Sequence, residues 1–346
     1  MSTSVGVVGA GSWGTALALL LARNGHEVSL WSRDANQVAA LSKDRCNQRY
    51  LPGADFPDQL AVTADLESVA RDCQILLIAV PSHAFRDLLP KLQPHLPSRP
   101  KIAWATKGLE YRSGKLLHQV TAELLGPETP AAALSGPTFA GEVAKDLPTA
   151  ITVASTNPAF AQEMADLLHN PHFRAYTTDD VIGVQLGGAT KNVLAIAAGV
   201  ADGLGFAANA RAALITRGLA EMMRLGIAMG GRPETLMGLA GVGDLILTCT
   251  DNQSRNRRFG LGLGKGLPRD EVVAQIGQEI EGMVTAGAIH QLAKTHGVDM
   301  PITEQVYLIL NAGLSPMEAV RNLLLREQKP EAGFVANGNP PLSMGG

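Results

Sequence analysis

The first half of the chain alternates between two periods of apolar residues. Short segments rich in valine, isoleucine and alanine have the pattern of buried strands, and the segments between them, such as WGTALALLLARNG, have helical spacing. The predicted strands are SVGVVGAG, EVSLWSR, AVTAD, QILLIAV, KIAWATK, AAALSGP, TAITVAS and FRAYTTD. Strands that alternate with helices form a mostly parallel sheet covered on both faces, so we expect a doubly wound α/β domain.

From about Asp179 onward the strand pattern stops and long helical patterns follow. They cover residues 181–200, 210–229, 269–276, 285–295 and 304–310. They predict an all-α second domain, and a length of 346 residues suits two domains. We place these domains at residues 1–178 and 179–328. We expect residues 329–346, which are rich in Gly, Pro and Asn, to form a mobile tail.

Composition and charge exclude several classes of partner and site. The formal net charge is -3 at pH 7, so the chain lacks the basic field that holds nucleic acid. Three cysteines, far apart and without a CxxC spacing, predict neither a disulfide framework nor a metal site. We expect no membrane span, because Asp202 and several glycines interrupt the most apolar stretch. The amino terminus has no basic segment followed by an apolar core, so we expect a cytoplasmic protein.

A glycine-rich motif, GAGSWG, joins the first predicted strand to the first predicted helix. This is the context that a dinucleotide-binding fingerprint requires. Gly9 would permit the tight turn, Gly11 would let a pyrophosphate approach the backbone, and Gly14 would allow the helix to pack closely on the strand. Ser12 can donate to phosphate, and the helix amino terminus offers free N–H groups. The motif predicts a Rossmann-like fold that binds NAD or NADP.

The end of the second predicted strand indicates which dinucleotide is bound. NAD sites usually carry an acidic residue there, roughly 20 residues beyond the glycines. Here the strand ends with Ser32 and Arg33, and a guanidinium binds the 2′-phosphate of NADP in a fork, to which a serine adds a donor. Asp34 follows directly and could serve the ribose of NAD. We expect NADP(H) to be favoured, and the use of NAD stays open.

Further polar residues follow predicted strands at the edge where such sheets bind ligands. The strand KIAWATK ends with Lys107, which we expect to contact substrate or cofactor. SGPTFAGE follows the next strand, and there Gly136 and Thr138 offer backbone and hydroxyl donors. The segment VPS, residues 80–82, gives a turn of small residues on which a cofactor can lie. Together these segments predict a binding crevice beyond the carboxyl ends of the strands.

The helical half contains a second anion-binding pattern. AGVGDLILTCT places Asp244 and Thr248 four residues apart and therefore on one helical face. In the following SRNRRFG, Ser254 has the position of an N-cap. Arg255 and Asn256 then fall in the first turn, where amide N–H groups, a guanidinium and a side-chain amide can converge on phosphate.

Lys191 is an ammonium in the middle of LGGATKNVLAIAAG, a segment with the pattern of a buried helix. Burial lowers the pKa of a lysine and is tolerated when the charge has a partner or a task. A partly desolvated lysine, oriented by Asp244, can act as the general acid that neutralises a forming alkoxide. The alternative is a structural lysine that extends its stem to solvent. By contrast, we expect Arg257 and Arg258 to form a solvated face.

Seven segments occur in the order found in one enzyme family. GAGSWG, VPS, ATKGLE, SGPTFA, GGATKNVLAIAAG, AGVGDL and SRNRRFG together resemble the bacterial NAD(P)-dependent glycerol-3-phosphate dehydrogenases, over nearly the whole chain. The resemblance implies hydride transfer between NAD(P)H and dihydroxyacetone phosphate, a small phosphorylated substrate, which yields sn-glycerol 3-phosphate for phospholipid synthesis. It implies that Lys191 is the catalytic lysine.

The resemblance also implies which residues line the two parts of the site. Those for the substrate are Lys107, Gly136, Thr138, Lys191, Asp244, Ser254, Arg255 and Asn256. Those for the cofactor, besides the three glycines of the fingerprint, are Ser12, Trp13, Arg33, Lys107, Ala140, Arg255 and Glu281.

Two alternatives stay open at this point. The two-domain plan is also similar to that of 6-phosphogluconate and UDP-sugar dehydrogenases, and the latter need a nucleophilic cysteine, for which Cys249 is the candidate. A protein that senses the dinucleotide without turnover would need the fingerprint but not the set formed by Lys191, Asp244, Arg255 and Asn256. The sequence also leaves open a homodimer, the physiological direction of the reaction and any feedback control.

Overall fold

The structure, a computed structural model, describes residues 2–327, and the predicted tail at 329–346 lies outside them. The strands of this part are β1 Ser4–Val8, β2 Glu27–Trp31, β3 Cys46–Asn47, β4 Leu51–Asp55, β5 Leu60–Thr63, β6 Ile75–Ile78, β7 Ile102–Trp104, β8 Ala131–Ser135, β9 Thr149–Ala154 and β10 Phe173–Thr178. Eight of them form one sheet and correspond to the eight predicted strands, while β3 and β4 form a separate antiparallel pair. The apolar pattern does not predict this pair, because Pro52 and Gly53 interrupt it.

The main sheet has the strand order β10-β9-β8-β7-β6-β1-β2-β5. Neighbouring strands are parallel except for β8 and β9, so β9 and β10 run against the other six. Those six alone have the order of a doubly wound dinucleotide-binding sheet, in which the strand order reverses between β1 and β6. The predicted mostly parallel, Rossmann-like sheet is confirmed. Sheets of this kind bind ligands beyond the carboxyl ends of the strands where the order reverses, which here are β1 and β6.

Helices cover both faces of the sheet. Those of the first part of the chain are α1 Ser12–Arg23, α2 Ala35–Asp44, α3 Leu66–Asp72, α4 Ser82–Leu92, α5 Leu117–Leu125, α6 Ala140–Ala144 and α7 Pro158–Leu168. On one face, α1, α6 and α7 bury residues such as Leu17 against Val7 of β1. On the other face, α3, α4 and α5 enclose Val8 together with Phe85 and Trp104, whose rings meet edge to face at 5.9 Å. Because both faces are covered, successive strand residues are apolar.

After β10 ends at Thr178, the chain is helical up to the last described residues. The helices are α8 Val181–Gly203, α9 Ala208–Ala228, α10 Pro233–Leu236, α11 Asp244–Thr250, α12 Arg255–Gly264, α13 Arg269–Ile276, α14 Glu281–Thr295, α15 Pro301–Asn311 and α16 Pro316–Leu324. A π-helical turn, Leu239–Gly243, connects α10 to α11. The all-α character of this part is confirmed, although the sequence pattern does not predict α10, the π-helical turn or α16.

Helix α8 is the central helix of the second part. It is 23 residues long and, by length and composition, apolar enough to cross a membrane, so Asp202 and the glycines do not interrupt it as expected. In the structure, however, 94% of its most apolar window is buried inside the protein. Helices α9, α11, α12 and α14 pack around it. The apolar residues of α8 therefore form the core of the helical part.

Glycines bring other backbones into direct contact with α8. A Cβ atom on Gly199 would lie 2.0 Å from the carbonyl oxygen of Arg257 on α12, and one on Gly187 would lie 2.4 Å from that of Ala240 in the π-helical turn. Side chains at these positions would push both neighbours away. The small residues of LGGATKNVLAIAAG thus set the distance between α8 and the elements that carry the candidate site.

Candidate active site

The three glycines after β1 have the geometry of a dinucleotide fingerprint. Gly9 has a φ of 124°, which favours glycine, and a Cβ atom on Gly14 would lie 1.9 Å from the carbonyl oxygen of Gly9. At Gly11, a Cβ atom would meet nothing within 4 Å from elsewhere in the described chain, so its backbone is open. Helix α1 begins at Ser12, and Gly11 has no side chain with which to cap it. The first N–H groups of α1 are therefore available to a pyrophosphate.

The resemblance assigns further residues to the cofactor, and some of their polar groups already have hydrogen-bond partners within the chain while others do not. The indole Nε1 of Trp13 is buried and has no hydrogen-bond partner among residues 2–327. The hydroxyl of Ser12 donates to the backbone oxygen of Tyr50 at 2.8 Å. Ala140 begins α6, which packs against α1. Ser12 can thus meet a phosphate through its backbone N–H, while its hydroxyl proton is already engaged.

Arg33 follows β2 and is exposed, and within the described chain its guanidinium forms no hydrogen bond or ion pair. Its neighbours, in contrast, are engaged. Ser32 donates its hydroxyl proton to the side chain of Gln37 at 2.6 Å. Asp34 caps α2 by accepting from the N–H of Asn36 at 2.9 Å. The hydroxyl of Ser32 is expected from the sequence to be a free donor, but it is already engaged by Gln37. Arg33 remains a free cation at the end of β2 within the described chain.

Lys191 is 7% exposed and has two partners on α11. Its Nζ lies 2.7 Å from Oδ1 of Asp244 and 2.8 Å from Oγ1 of Thr248. Burial lowers the pKa of Lys191 to about 8, against the opposing effect of the Asp244 charge. The side chain thus ends in an internal ion pair and does not extend to solvent.

A second lysine reaches the same carboxylate from the edge of the sheet. Lys107, after β7, donates to Oδ2 of Asp244 at 2.7 Å and to the backbone oxygen of Gly136 at 3.2 Å. Burial opposes the ionisation of Asp244, but the ammonium groups of Lys107 and Lys191 hold its pKa below the usual value. One carboxylate therefore connects the sheet to the central helix through two lysines.

The π-helical turn explains how Asp244 is placed. A Cβ atom on Gly241 would lie 1.9 Å from the carbonyl oxygen of Leu236, so the turn requires glycine at that position. Asp244 is the first residue after the turn, at the start of α11, and it is fully buried. Such turns interrupt regular helix geometry and frequently occur at functional sites. The glycines of AGVGDL therefore direct a buried carboxylate toward the two lysines.

Gly136 and Thr138 lie in the loop between β8 and α6. The hydroxyl of Thr138 donates to the backbone oxygen of Gly136 at 3.2 Å, and the same oxygen accepts from Lys107. A Cβ atom on Gly136 would lie 3.0 Å from Cα of Ile151 on β9. The loop is thereby held beside Lys107, at the predicted edge of the sheet.

The start of α12 has the predicted N-cap. Ser254 accepts from the N–H of Arg257 at 3.2 Å. Asn256 is less free than expected, since its amide donates to Oδ1 of Asn192 at 3.0 Å and its oxygen accepts from a backbone N–H in the first turn of α14. Arg255 is partly exposed, and its guanidinium forms no hydrogen bond or ion pair within residues 2–327. In this turn, Asn256 fixes α12 to its neighbours and Arg255 is free for an anion.

Glu281 begins α14 and accepts a hydrogen bond from the side chain of Asn192 at 3.2 Å. Burial raises the pKa of Glu281, while the charges of Arg255, Lys107 and Lys191 oppose that rise. The pKa of this carboxyl group thus responds to the charges of three cations of the candidate site. Asn192 in turn accepts from the amide of Asn256, so Glu281, predicted to contact cofactor, is connected through Asn192 to a residue predicted to contact substrate.

The prediction that Arg257 is solvated is wrong. This side chain is 7% exposed, pairs with the carboxylate of Asp202 and donates from Nε to the backbone oxygen of Cys249 at 3.0 Å. Arg258 is exposed, as expected. The sequence contains one signal for the error: Asp202 is an acid within an apolar helix, and a buried carboxylate requires a cationic partner.

The thiol of Cys249 is not suited to covalent catalysis. Burial raises its pKa to about 12, so it stays protonated at neutral pH. This argues against the UDP-sugar dehydrogenase alternative, which needs a nucleophilic cysteine. Among residues 2–327, no group of three or more His, Cys, Asp or Glu is placed to hold a metal ion.

Known proteins resemble this chain over nearly its whole length. The family models described as NAD-dependent glycerol-3-phosphate dehydrogenase N-terminus and C-terminus match residues 4–161 and 180–321. The glycerol-3-phosphate dehydrogenase (NAD(P)+) of Methylococcus capsulatus is 62% identical over 332 residues, which cover 96% of this chain and 99% of the relative. That of Thioalkalivibrio sulfidiphilus is 59% identical over 327 residues, which cover 94% of this chain and 98% of the relative.

Solved structures show the same relationship. A crystal structure of glycerol-3-phosphate dehydrogenase from Coxiella burnetii matches with a TM-score of 0.91 at 50% identity, and the match covers 94% of this chain and 99% of that one. The resemblance carried by the seven sequence segments is thereby confirmed. The chain belongs to the NAD-dependent glycerol-3-phosphate dehydrogenase family.

Proposed function

We propose that this chain interconverts dihydroxyacetone phosphate and sn-glycerol 3-phosphate by hydride transfer with NAD(P)H. The observation that carries the proposal is the buried ammonium of Lys191, held 2.7 Å from Asp244 beside the crevice. Reduction of a ketone needs a proton donor where the alkoxide forms. Recognition of a phosphorylated substrate needs a free cation, which Arg255 supplies. Relatives that carry the name of this activity are 62% and 59% identical to the chain.

The residues after β1 fit a dinucleotide. The open backbone at Gly11, the uncapped start of α1 and the unpartnered Nε1 of Trp13 are all groups that such a ligand would engage. When bound, the nicotinamide supplies the hydride. The enzyme uses NAD or NADP, and we propose that Arg33 favours NADP by binding its 2′-phosphate in a fork.

Lys191 is the proposed general acid. A pKa of about 8 leaves it mostly protonated at neutral pH, yet makes it a better proton donor than an ordinary lysine. An ammonium has three N–H donors, of which Asp244 and Thr248 engage two. The third is left for the carbonyl oxygen of the substrate. In the reverse direction, the neutral amine accepts the proton of the alcohol.

Lys107 and Arg255 are the proposed cationic contacts of the substrate. Lys107 donates to Asp244 and Gly136, which leaves one N–H of its ammonium for a substrate oxygen. The guanidinium of Arg255 can bind two phosphate oxygens at once. The remaining substrate residues of the proposal are Gly136, Thr138, Ser254 and Asn256, and its remaining cofactor residues are Ser12, Ala140 and Glu281.

The direct test follows the absorbance of NADPH and of NADH with and without dihydroxyacetone phosphate. We expect oxidation that depends on this substrate. The kcat/KM for phosphate-free dihydroxyacetone should be lower by about 10-fold to 150-fold or more, because the charge-assisted contacts of Arg255 are then lost. Binding of NADPH without turnover would favour the sensing alternative. Reduction of NADP+ by 6-phosphogluconate, with no oxidation of NADPH by dihydroxyacetone phosphate, would favour the other dehydrogenase class.

The wider role of the enzyme is part of the same proposal. Its product would supply the glycerol backbone of phospholipids, so a strain without the enzyme is expected to need external glycerol 3-phosphate. Free, buried cysteines are in keeping with a cytoplasmic protein. The end of β10 at Thr178 and the start of α8 at Val181 support a domain division at residue 179.

A homodimer is also proposed. Leu324 and Leu325, at the end of α16, are 78% and 83% exposed, and a second copy of the chain would cover such apolar side chains. Light scattering measures the mass of the particle directly. A mass equal to that of one chain would reject the dimer without affecting the proposed activity.

A further inference from the structure

A single buried guanidinium joins three helix ends in the helical part of the chain. Arg257, in the first turn of α12, donates from Nε to the backbone oxygen of Cys249 at 3.0 Å, near the end of α11. Its two terminal nitrogens contact the side-chain oxygen of Asn252 and the carboxylate of Asp202, near the end of α8. Arg211 at the start of α9 lies 3.2 Å from the other oxygen of that carboxylate. All three guanidinium nitrogens of Arg257 therefore have partners inside the protein.

The helices joined in this way carry the candidate site. Helix α8 carries Lys191, α11 carries Asp244, and α12 carries Arg255 two residues before Arg257. A guanidinium is planar and donates in fixed directions, so it specifies the relative position of its partners more closely than an ammonium does. A change at Arg257 would therefore move the phosphate-binding turn relative to the catalytic lysine without touching either group.

Backbone contacts connect Arg257 to α8 a second time. A Cβ atom on Gly199 would lie 2.0 Å from the carbonyl oxygen of Arg257, and one on Gly260 would lie 2.0 Å from that of Ile196. No side chains separate the two helices at these points, so a shift of one is passed to the other. Both the backbone and the side chain of Arg257 are therefore tied to the helix that carries Lys191.

Stability alone does not account for the pair of Arg257 and Asp202. Both side chains are more than nine-tenths buried. The attraction within such a pair often only offsets the cost of removing two charges from water, and apolar residues of similar volume can be equally stable. Apolar residues cannot, however, supply directed hydrogen bonds to Cys249 and Asn252. The hydrogen bonds of Arg257 therefore indicate that this residue sets the relative positions of the helices it joins.

We propose that Arg257 is a positioning residue that sets the phosphate-binding turn, residues 254–256, against Lys191. This inference rests on the proposed function, since it concerns recognition of the phosphate of dihydroxyacetone phosphate. Arg257 acts through Arg255 and contacts neither substrate nor cofactor itself. Its replacement should therefore weaken the discrimination between phosphorylated and phosphate-free substrate.

The discriminating measurement is the ratio of kcat/KM for dihydroxyacetone phosphate to kcat/KM for dihydroxyacetone. Unfolded molecules lower both values equally, so the ratio does not respond to a partial loss of folded protein. For Arg257→Lys we expect a ratio about 10-fold or more below that of the wild type, because displacements on the order of 1 Å can have effects of this size. Arg258→Lys, at an exposed position of the same helix, is the matched control and should keep the wild-type ratio.

A second variant covers the case in which Arg257→Lys does not fold. Asn252 is exposed, so Asn252→Ala removes one contact of the guanidinium at little risk to the fold and should lower the ratio in the same direction. If the folded variants keep the wild-type ratio of the two kcat/KM values, the positioning role is overturned and Arg257 has only a structural role. A wild-type enzyme without preference for the phosphorylated substrate would instead reject the proposed function, and the positioning role with it.

Discussion

Lys191 donates to Oδ1 of Asp244 across 2.7 Å, from within a helix whose surroundings are apolar. The other oxygen of the same carboxylate lies 2.7 Å from Lys107. The buried carboxylate of Asp244 therefore pairs with two ammonium groups, those of Lys191 and Lys107. The protonation of Lys191, the proposed general acid, depends on that carboxylate, so the pH dependence of the reaction should depend on it as well.

As the pH rises, the rate of dihydroxyacetone phosphate reduction should begin to decline at a lower pH in Asp244→Asn than in the wild type. Burial lowers the pKa of Lys191 to about 8, and the charge of Asp244 opposes this shift. Without that charge, and with Lys107 still present, the pKa falls further. Reduction needs the protonated lysine, so its rate declines as the pH rises through the pKa. The measurement is single-turnover oxidation of NADPH across a pH series.

Thr248→Val is the matched control for this series. It removes a hydroxyl contact of Lys191 at 2.8 Å without removing a charge, so the decline should stay near its wild-type pH. Glycerol 3-phosphate oxidation provides a check on the sign, since it needs the neutral amine and should rise with pH through the same value. A decline at the same pH in wild type and Asp244→Asn would show that this carboxylate does not set the pKa.

Arg33→Ala should change the affinity for one cofactor and not for the other. Loss of a charge-assisted contact with the 2′-phosphate should raise the Michaelis constant for NADPH roughly 10- to 150-fold, with little change for NADH. Lys43→Ala, which removes an exposed cation from the far end of α2, is the control and should alter neither constant. Equal changes for the two cofactors in Arg33→Ala would show that Arg33 does not recognise the 2′-phosphate.

Arg255→Lys should weaken the binding of dihydroxyacetone phosphate far more than that of the cofactor. The variant keeps the charge but loses the two parallel N–H donors, so the Michaelis constant for this substrate should rise about 10-fold or more. Arg258→Lys makes the same chemical change at an exposed position and should have no such effect. If the Michaelis constant of Arg255→Lys for dihydroxyacetone phosphate equals that of the wild type, the phosphate is bound elsewhere.

The sheet and the fingerprint could be predicted because their signals are local. Residues of β1 such as Val7 and Val8 are apolar in succession since each packs on a different face, and the roles of the glycines in GAGSWG all concern one turn. The strands β3 and β4 could not be predicted in this way, because Pro52 and Gly53 interrupt the pattern. The π-helical turn Leu239–Gly243 has no period that distinguishes it from a glycine-rich loop.

The residue types of the site could be predicted, but most of their partners could not. Lys107 and Asp244 are 137 positions apart, and no local pattern indicates which cation a carboxylate meets. The prediction of a solvated Arg257 is wrong for the same reason, since its partner Asp202 is 55 positions away. Burial and pairing of these charges depend on how α8, α11 and α12 pack, and this packing follows from close contacts at glycines that a single segment does not display.

Lys191→Met tests the proposed general acid directly. Methionine keeps the approximate length and the apolar stem of lysine and removes the proton, so the fold and NADPH binding should survive. Turnover should fall by about 10²–10⁴, and by more if the ammonium also stabilises the forming alkoxide electrostatically. In this variant Asp244 keeps its ion pair with Lys107, so the buried carboxylate is not left without a cation.

The measurement is single-turnover oxidation of NADPH with saturating dihydroxyacetone phosphate, with a thermal melt and an NADPH titration of both proteins. A purely structural lysine predicts a different pattern for Lys191→Met. The rate would then be nearly unchanged, and the fold could become more stable, because a charge that is costly to bury has left an apolar helix. A folded variant that retains more than about a tenth of the wild-type rate lies outside the range of general acid catalysis and would reject the assignment of Lys191.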